Sequence, residues 1–220
     1  MSLSFKNRLY TILVLLKEPK VLKALLSLRT SGYLYTNGWI NSFKKNLPLN
    51  SDNTPIPWTT YPFINFIETR LSTDMNLFEF GAGYSTLFYS RKIRSVIAIE
   101  HNKEWYSAIK KRIESNVKLL LSADESIESY VFSIRKLNKK FDIISIDGIH
   151  RVECLNESIN HLKENGIIIL DDSERVEYKE SMKLLLQKGF KKLDFWGMSA
   201  GYLFKKSTTI FYKADNCIGI

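Results

Sequence analysis

The chain has 220 residues, 45% of them hydrophobic and 13% aromatic, so it can bury the core of one domain and carry an appendage. Its formal charge is +9, spread over Arg91-Lys92-Ile93-Arg94, Lys110-Lys111-Arg112, Lys139-Lys140 and Lys191-Lys192; these read as solvated faces or as attraction to anionic lipid, glycan or nucleic acid. No nucleic-acid-binding motif is present, so nucleic acid is not an expected partner. Two cysteines, Cys154 and Cys217, exclude a disulfide framework and a zinc spacing, and make a reduced cytoplasmic location the simplest expectation.

The apolar run from Leu9 to Leu16 is broken by Lys17, Glu18, Pro19 and Lys20. It falls short of the roughly 20 residues that span a bilayer, and no small-residue cleavage site follows it. Leu22, Leu25, Leu26 and Leu28, with Lys20, Lys23 and Arg29, then read as an amphipathic basic helix. Residues 1–30 therefore either pack on the domain or on a second subunit as a homodimer, or lie peripherally on an anionic membrane. Residues 50–62 hold three prolines and form a connector. In it Trp58 and Tyr61 serve either as a lid over a ligand, with Thr59 and Thr60, or as an aromatic plug. The chain thus divides into an extension with its connector, 1–62, and a catalytic domain, 63–220.

From Phe63 a helix is expected to about Arg70. Strands then alternate with helices: strands at about 76–80, 95–100, 116–121, 141–147 and 166–171, helices at about 84–91, through Trp105 and Ile109, and at 126–137, 152–163 and 176–188. Near-continuous apolar strands such as Gly166-Ile167-Ile168-Ile169-Leu170-Asp171 suit a parallel sheet covered on both faces, a doubly wound α/β fold. The tail breaks the pattern. Phe190 to Phe195 and Thr208 to Lys213 read as two antiparallel strands, and the segment 197–202 between them as a pocket wall or a plain hairpin loop.

Residues 78–86, Phe-Glu-Phe-Gly-Ala-Gly-Tyr-Ser-Thr, carry the most chemical information. Glycines at 81 and 83 let the backbone approach a ligand, and the helix behind them offers unpaired N–H groups. Thr86 stands where a dinucleotide fingerprint has its third glycine, which points away from a nicotinamide oxidoreductase. Acidic residues then close the strands: Glu79, Glu100, Asp124, Asp147, Asp171 and Asp172. In such sheets ligands gather beyond the carboxyl ends. There Glu100 can accept from both hydroxyls of a ribose, and Asp124 can reach an adenine amino group.

With these residues the chain, over about 60–214, resembles the class I S-adenosylmethionine-dependent methyltransferases. Glu79-Phe80-Gly81-Ala82-Gly83 matches their first cofactor motif, and Glu100 their ribose-binding acid. The resemblance implies a Rossmann-like seven-stranded sheet, mostly parallel with an antiparallel last strand. It implies that Tyr84, Ser85 and Thr86 line the methionine or ribose side and that His101 flanks the adenosine pocket, with Asp147 completing the cofactor set. Asp147 followed by Asp171-Asp172 is also similar to the metal-binding pattern of cation-dependent O-methyltransferases, with Asp172 in place of their Asn. That implies Mg²⁺ or a similar hard cation on Asp147, Asp171 and Asp172; the alternative is that Asp171 or Asp172 caps the next helix.

His150, three residues after Asp147, either takes the acceptor's proton or bonds within its loop. Arg151 either holds an anionic substrate or pairs with Glu153. Ser173, Glu174 and Arg175 are placed to face substrate, and His161 reads as structural. The expected reaction is O-methylation of a small-molecule or glycan hydroxyl, catalysed through Asp147 and His150. The alternative is a non-catalytic cofactor-binding or membrane-associated scaffold.

Overall fold

The computed structural model describes residues 5–220. Residues 1–4 of the expected membrane-contacting segment, and the Leu9 side chain, lie outside the described residues.

Helices α1 (Phe5–Lys17) and α2 (Pro19–Ser27) open the chain, with Pro19 at the first position of α2, where no N–H is needed. No residue of α2 is buried. Short helices α3 (Tyr33–Thr36) and α4 (Trp39–Lys45) follow. In α4, Trp39 is buried in the core, and its indole Nε1 donates to Tyr202 O at 2.8 Å. The connector is tied down rather than loose. Thr60 N donates to Thr208 Oγ1 at 3.1 Å, and Thr60 Oγ1 donates to Phe195 O at 3.0 Å. Helix α5 (Tyr61–Glu68) starts two residues before the expected Phe63, with Pro62 in its first turn, so the division expected at residue 62 falls inside it.

The sheet runs β1 (Asn76–Phe80), β2 (Ser95–Glu100), β3 (Val117–Leu121), β4 (Phe141–Ile146), β5 (Leu162–Asp171), β6 (Lys191–Gly197) and β7 (Lys206–Tyr212). Their spatial order is β3-β2-β1-β4-β5-β7-β6. The first five strands pair in parallel, and β7 enters antiparallel between β5 and β6. This is the Rossmann-like, mostly parallel seven-stranded sheet with an antiparallel last strand that was expected. Between the strands lie α6 (Tyr84–Ser90), α7 (Lys103–Lys110), α8 (Ile127–Tyr130), α9 (Arg151–His161) and α10 (Lys179–Gln187).

Alternation explains the apolar runs. Leu77, Val96, Ala98, Ile143, Ile167 and Ile169 face one core with α5 and α6. Phe78, Phe80, Ile97, Ile99, Ile144, Ile168 and Leu170 face the other with α9 and α10. Both faces are covered, so neither needs polar residues.

Further boundaries differ from expectation. The helix expected at 126–137 is only α8, followed by a 3₁₀ stretch, Val131–Leu137, that ends on Asn138 at φ 45. The helix expected to reach 163 stops at His161, because Leu162 already pairs with Phe141 as the start of β5. A 3₁₀ turn, Val176–Tyr178, precedes α10.

Candidate active site at the carboxyl ends of the strands

The loop after β1 is fixed from three sides. Gly81 sits at φ +95, and a Cβ there would lie 2.7 Å from the backbone N and Cα of Gly148. Its N–H donates to Ile99 O at 3.0 Å, and Asp147 N donates to Phe80 O at 2.9 Å, so the ends of β1, β2 and β4 are laced together. Gly83 N donates to Thr86 Oγ1 at 2.9 Å, and that hydroxyl donates to the Glu79 carboxylate. Glu79 and Thr86 are fully buried. Expected as cofactor contacts, they are placed beneath the loop and do not line the cleft; they hold its shape. Burial pushes Glu79 up to about 8, with the Ser85 and Thr86 hydroxyls working the other way.

Glu100 closes β2 with its carboxylate oriented by its own loop. Oε1 accepts from His101 N at 2.9 Å and from Asn102 N at 2.8 Å. Burial raises its pKa against these bonds. Asn102 caps α7 through Trp105 N, and Trp105 Nε1 in turn donates to Ala82 O at 2.7 Å. The Trp105 ring stacks on Tyr84 with centroids 6.3 Å apart. A buried acid and an indole thereby face the glycine turn.

These groups open on a cleft of about 1010 Å³, lined among others by Gly81, Ala82, Gly83, Tyr84, Ser85, Glu100, His101 and Trp105. That volume is large for a single small ligand. The set suits an adenosyl cofactor. It offers backbone amides with little side-chain cover, a carboxylate for vicinal hydroxyls, and flat rings for a purine. A Cβ on Gly83 would meet nothing nearer than Trp105 Nε1 at 3.8 Å, so the backbone there is bare toward the cleft.

Asp147, Asp171, Asp172, Glu174 and Arg175 line the other half of the cleft, as do Trp58, Tyr202 and Phe204. The carboxylates that resemble a metal triad are already occupied. Arg151 Nη2 lies 2.9 Å from Asp147 Oδ1, and its Nη1 lies 3.3 Å from Asp172 Oδ2. Lys206 Nζ lies 2.5 Å from Asp171 Oδ2 and 2.6 Å from Asp172 Oδ1. Arg175 adds a contact to Asp172 at 2.6 Å, and Thr208 donates to Asp171 at 2.7 Å. Burial works against the Lys206 ammonium, but the carboxylates outweigh it and keep it protonated. Burial likewise opposes the Asp172 charge, yet Lys206, Arg151 and Arg175 hold its pKa below the usual value. Burial and the Asp147 charge push Asp171 up to about 7, against Lys206.

The arrangement does not support the Mg²⁺ expectation. Among the described residues no group of three or more His, Cys, Asp or Glu is arranged to hold a metal ion. The lone pairs a cation would need accept from a guanidinium and an ammonium instead. The capping alternative fails too, since the Asp171 and Asp172 carboxylates turn to these cations and Asp172 sits at φ 52.

Other expected residues fall elsewhere. His150, at φ 51, aims its Nε2 at Glu125 O, 2.6 Å away, and is not among the lining residues. The expected base thus bonds to the loop that follows β3, not within its own loop. Asp124 is exposed, and its Oδ1 accepts from Ser126 N at 2.9 Å, a local turn rather than a cleft contact. Arg151 pairs with Asp147 and Asp172, not Glu153. His161 pairs with Glu157 at 2.9 Å. Of the connector pair, Trp58 lines the cleft and donates to Ala200 O at 2.7 Å, whereas Tyr61 is buried in the core. Lys206 and Trp105 also line the cleft, beyond the expected set. Trp105, an aromatic in the first turn after Glu100, offered a signal; Lys206, 35 positions from Asp171, offered none.

No family model matches the chain, and no curated protein matches it in sequence. In shape it is similar to a precorrin-6y C5,15-methyltransferase from Geobacter metallireducens, at 17% identity and TM-score 0.55 over 70% of this chain and 87% of that one. It is similar to a precorrin 8W decarboxylase from Methanobacterium thermoautotrophicum, at 20% identity and TM-score 0.53 over 77% and 97% of the two chains. A methyltransferase from Pyrococcus furiosus is similar at 21% identity and TM-score 0.53, over 80% and 94%. At these identities the likeness establishes the fold.

Proposed function

We propose that this chain, with the fold of the class I S-adenosylmethionine-dependent methyltransferases, is such an enzyme and methylates a hydroxyl of a small-molecule or glycan acceptor without a divalent cation. One observation carries the cofactor reading: the Gly81–Gly83 turn and the Glu100 carboxylate, on neighbouring parallel strands, face the same cleft.

The cofactor, when bound, supplies a methyl group already activated on a sulfonium. The protein's part is to hold it, to align the acceptor and to keep out water. Glu100 and the glycine turn do the first. Trp58, Tyr202 and Phe204 offer apolar faces on which a sugar or planar ring can rest, beside the polar floor of Asp172, Glu174 and Arg175. In the transfer the acceptor's oxygen would take the methyl as the carbon–sulfur bond breaks, its electron pair staying on a neutral thioether sulfur, and the acceptor's proton would go to the Asp147 carboxylate. Burial raises its pKa, against Arg151 and Lys206. That favours proton uptake. Lys206, which lines the cleft, would favour loss of that proton by placing positive charge near the acceptor oxygen.

Calorimetric titration with S-adenosylhomocysteine tests the reading. Binding at one site is expected; no heat and no thermal shift at millimolar ligand would overturn it.

A further inference from the structure

We infer that α1 and α2 form an amphipathic anchor that lies on an anionic lipid surface. The two helices adjoin at Glu18, and Tyr10, Leu13, Leu16, Val21, Leu25 and Leu26 are all exposed, Leu16 and Leu26 at 62% and 66%. Isolated exposed leucines need no explanation, but a run of them on adjoining helices does.

Charge selects the occupant. Lys6, Lys17, Lys20, Lys23 and Arg29 are exposed along the same segment, with Glu18 as its one acid. A second copy would bring the same cations against them, and like-charge juxtaposition opposes pairing. An anionic bilayer meets both demands at once, taking the apolar face into its interface and the lysines among its headgroups. Among the described residues no helix is long and apolar enough to cross a membrane, so the anchor lies on the surface rather than spanning it.

A second exposed apolar group lies at the cleft rim. Phe43 of α4, Leu203 and Phe204 are exposed, and Gly201 packs against the Phe43 backbone, so α4 joins this segment of the cleft rim. Phe204 also lines the cleft.

Co-sedimentation of the full chain with vesicles tests the anchor independently of any cofactor. With equal parts phosphatidylglycerol and phosphatidylcholine the protein should pellet. With phosphatidylcholine alone, or in about 0.5 M salt, partitioning should fall at least about tenfold. The double variant Leu16→Glu/Leu26→Glu should lose pelleting while keeping the parent's melting temperature, since both side chains are exposed. Equal pelleting on both vesicle types, undiminished pelleting of the double variant, or no pelleting at all overturns the inference. In the last case, a dimer seen by light scattering and dissolved by the double variant would assign the face to a second copy.

Discussion

The ammonium of Lys206 sits between two carboxylates, 2.5 Å from Asp171 Oδ2 and 2.6 Å from Asp172 Oδ1. It brings a fixed positive charge to the spot where the sequence pattern asks for a divalent ion. Arg151 does the same between Asp147 and Asp172.

Removing that charge should be expensive. Lys206→Met leaves Asp171 and Asp172 facing Asp147 with one fewer cation. Breaking a buried ion pair from one side costs about 3–5 kcal/mol, to be read from urea unfolding. In the parent protein, Mg²⁺ and chelator alike should leave the melting temperature unchanged. A magnesium-dependent rise would show that the carboxylates are free to ligate after all.

Glu100→Gln keeps the shape of the side chain and one acceptor for the amides of His101 and Asn102. It removes the charge offered to vicinal hydroxyls. Hydrogen bonds to charged groups are worth about 1.5–3 kcal/mol, so S-adenosylhomocysteine should bind about tenfold to a hundredfold more weakly by calorimetry, at an unchanged melting temperature. Unaltered affinity would remove Glu100 from the cofactor site.

The two glycines of the turn should separate folding from binding. Gly81→Ala forces a Cβ within 2.7 Å of the Gly148 backbone at φ +95, so destabilisation of about 1–3 kcal/mol is expected. Gly83 lies at φ −175, extended backbone that any residue adopts, and its nearest neighbour to an added Cβ is 3.8 Å away. Gly83→Ala should fold as the parent does and yet bind S-adenosylhomocysteine more weakly. Normal binding by the Gly83 variant would mean that the ligand does not approach this backbone.

Stability should fall as pH rises through the neutral range. Glu79 has an ordinary value of 4.5 but is pushed up to about 8 by burial. The folded protein therefore holds a proton that the unfolded chain has released. Its contribution is fully present below 4.5 and lost as pH passes 8. For one full proton the slope is at most about 1.4 kcal/mol per pH unit. Asp171, raised from 3.8 to about 7, acts in the same direction. Melting temperatures across this range should drop less in Glu79→Gln; identical slopes would show that Glu79 is ionised in the fold.

Much of this architecture was readable along the chain. The strands at 76–80 and 95–100 fall where their apolar runs and closing acids put them. A strand buried on both faces leaves an unbroken hydrophobic signature, and a sheet of this kind places its loops, with Gly81 and Glu100, at one edge. His150 and Asp124 do not line the cleft, and for a shared reason. Each lies at a strand end, but strand position does not say where a side chain turns, and nearby backbone and hydroxyl partners claimed both.

From the order of its residues alone, this protein's layered sheet, its glycine turn and its ring of strand-end acids were already determined, because backbone propensity and burial are written in local patterns. What the acids are bound to was decided only by folding. Lys206 reaches Asp171 and Asp172 because β7 inserts antiparallel beside β5, and no local pattern records a contact made across 35 positions of chain. A carboxylate's chemistry depends on the charge that faces it, and that charge comes from a distant strand.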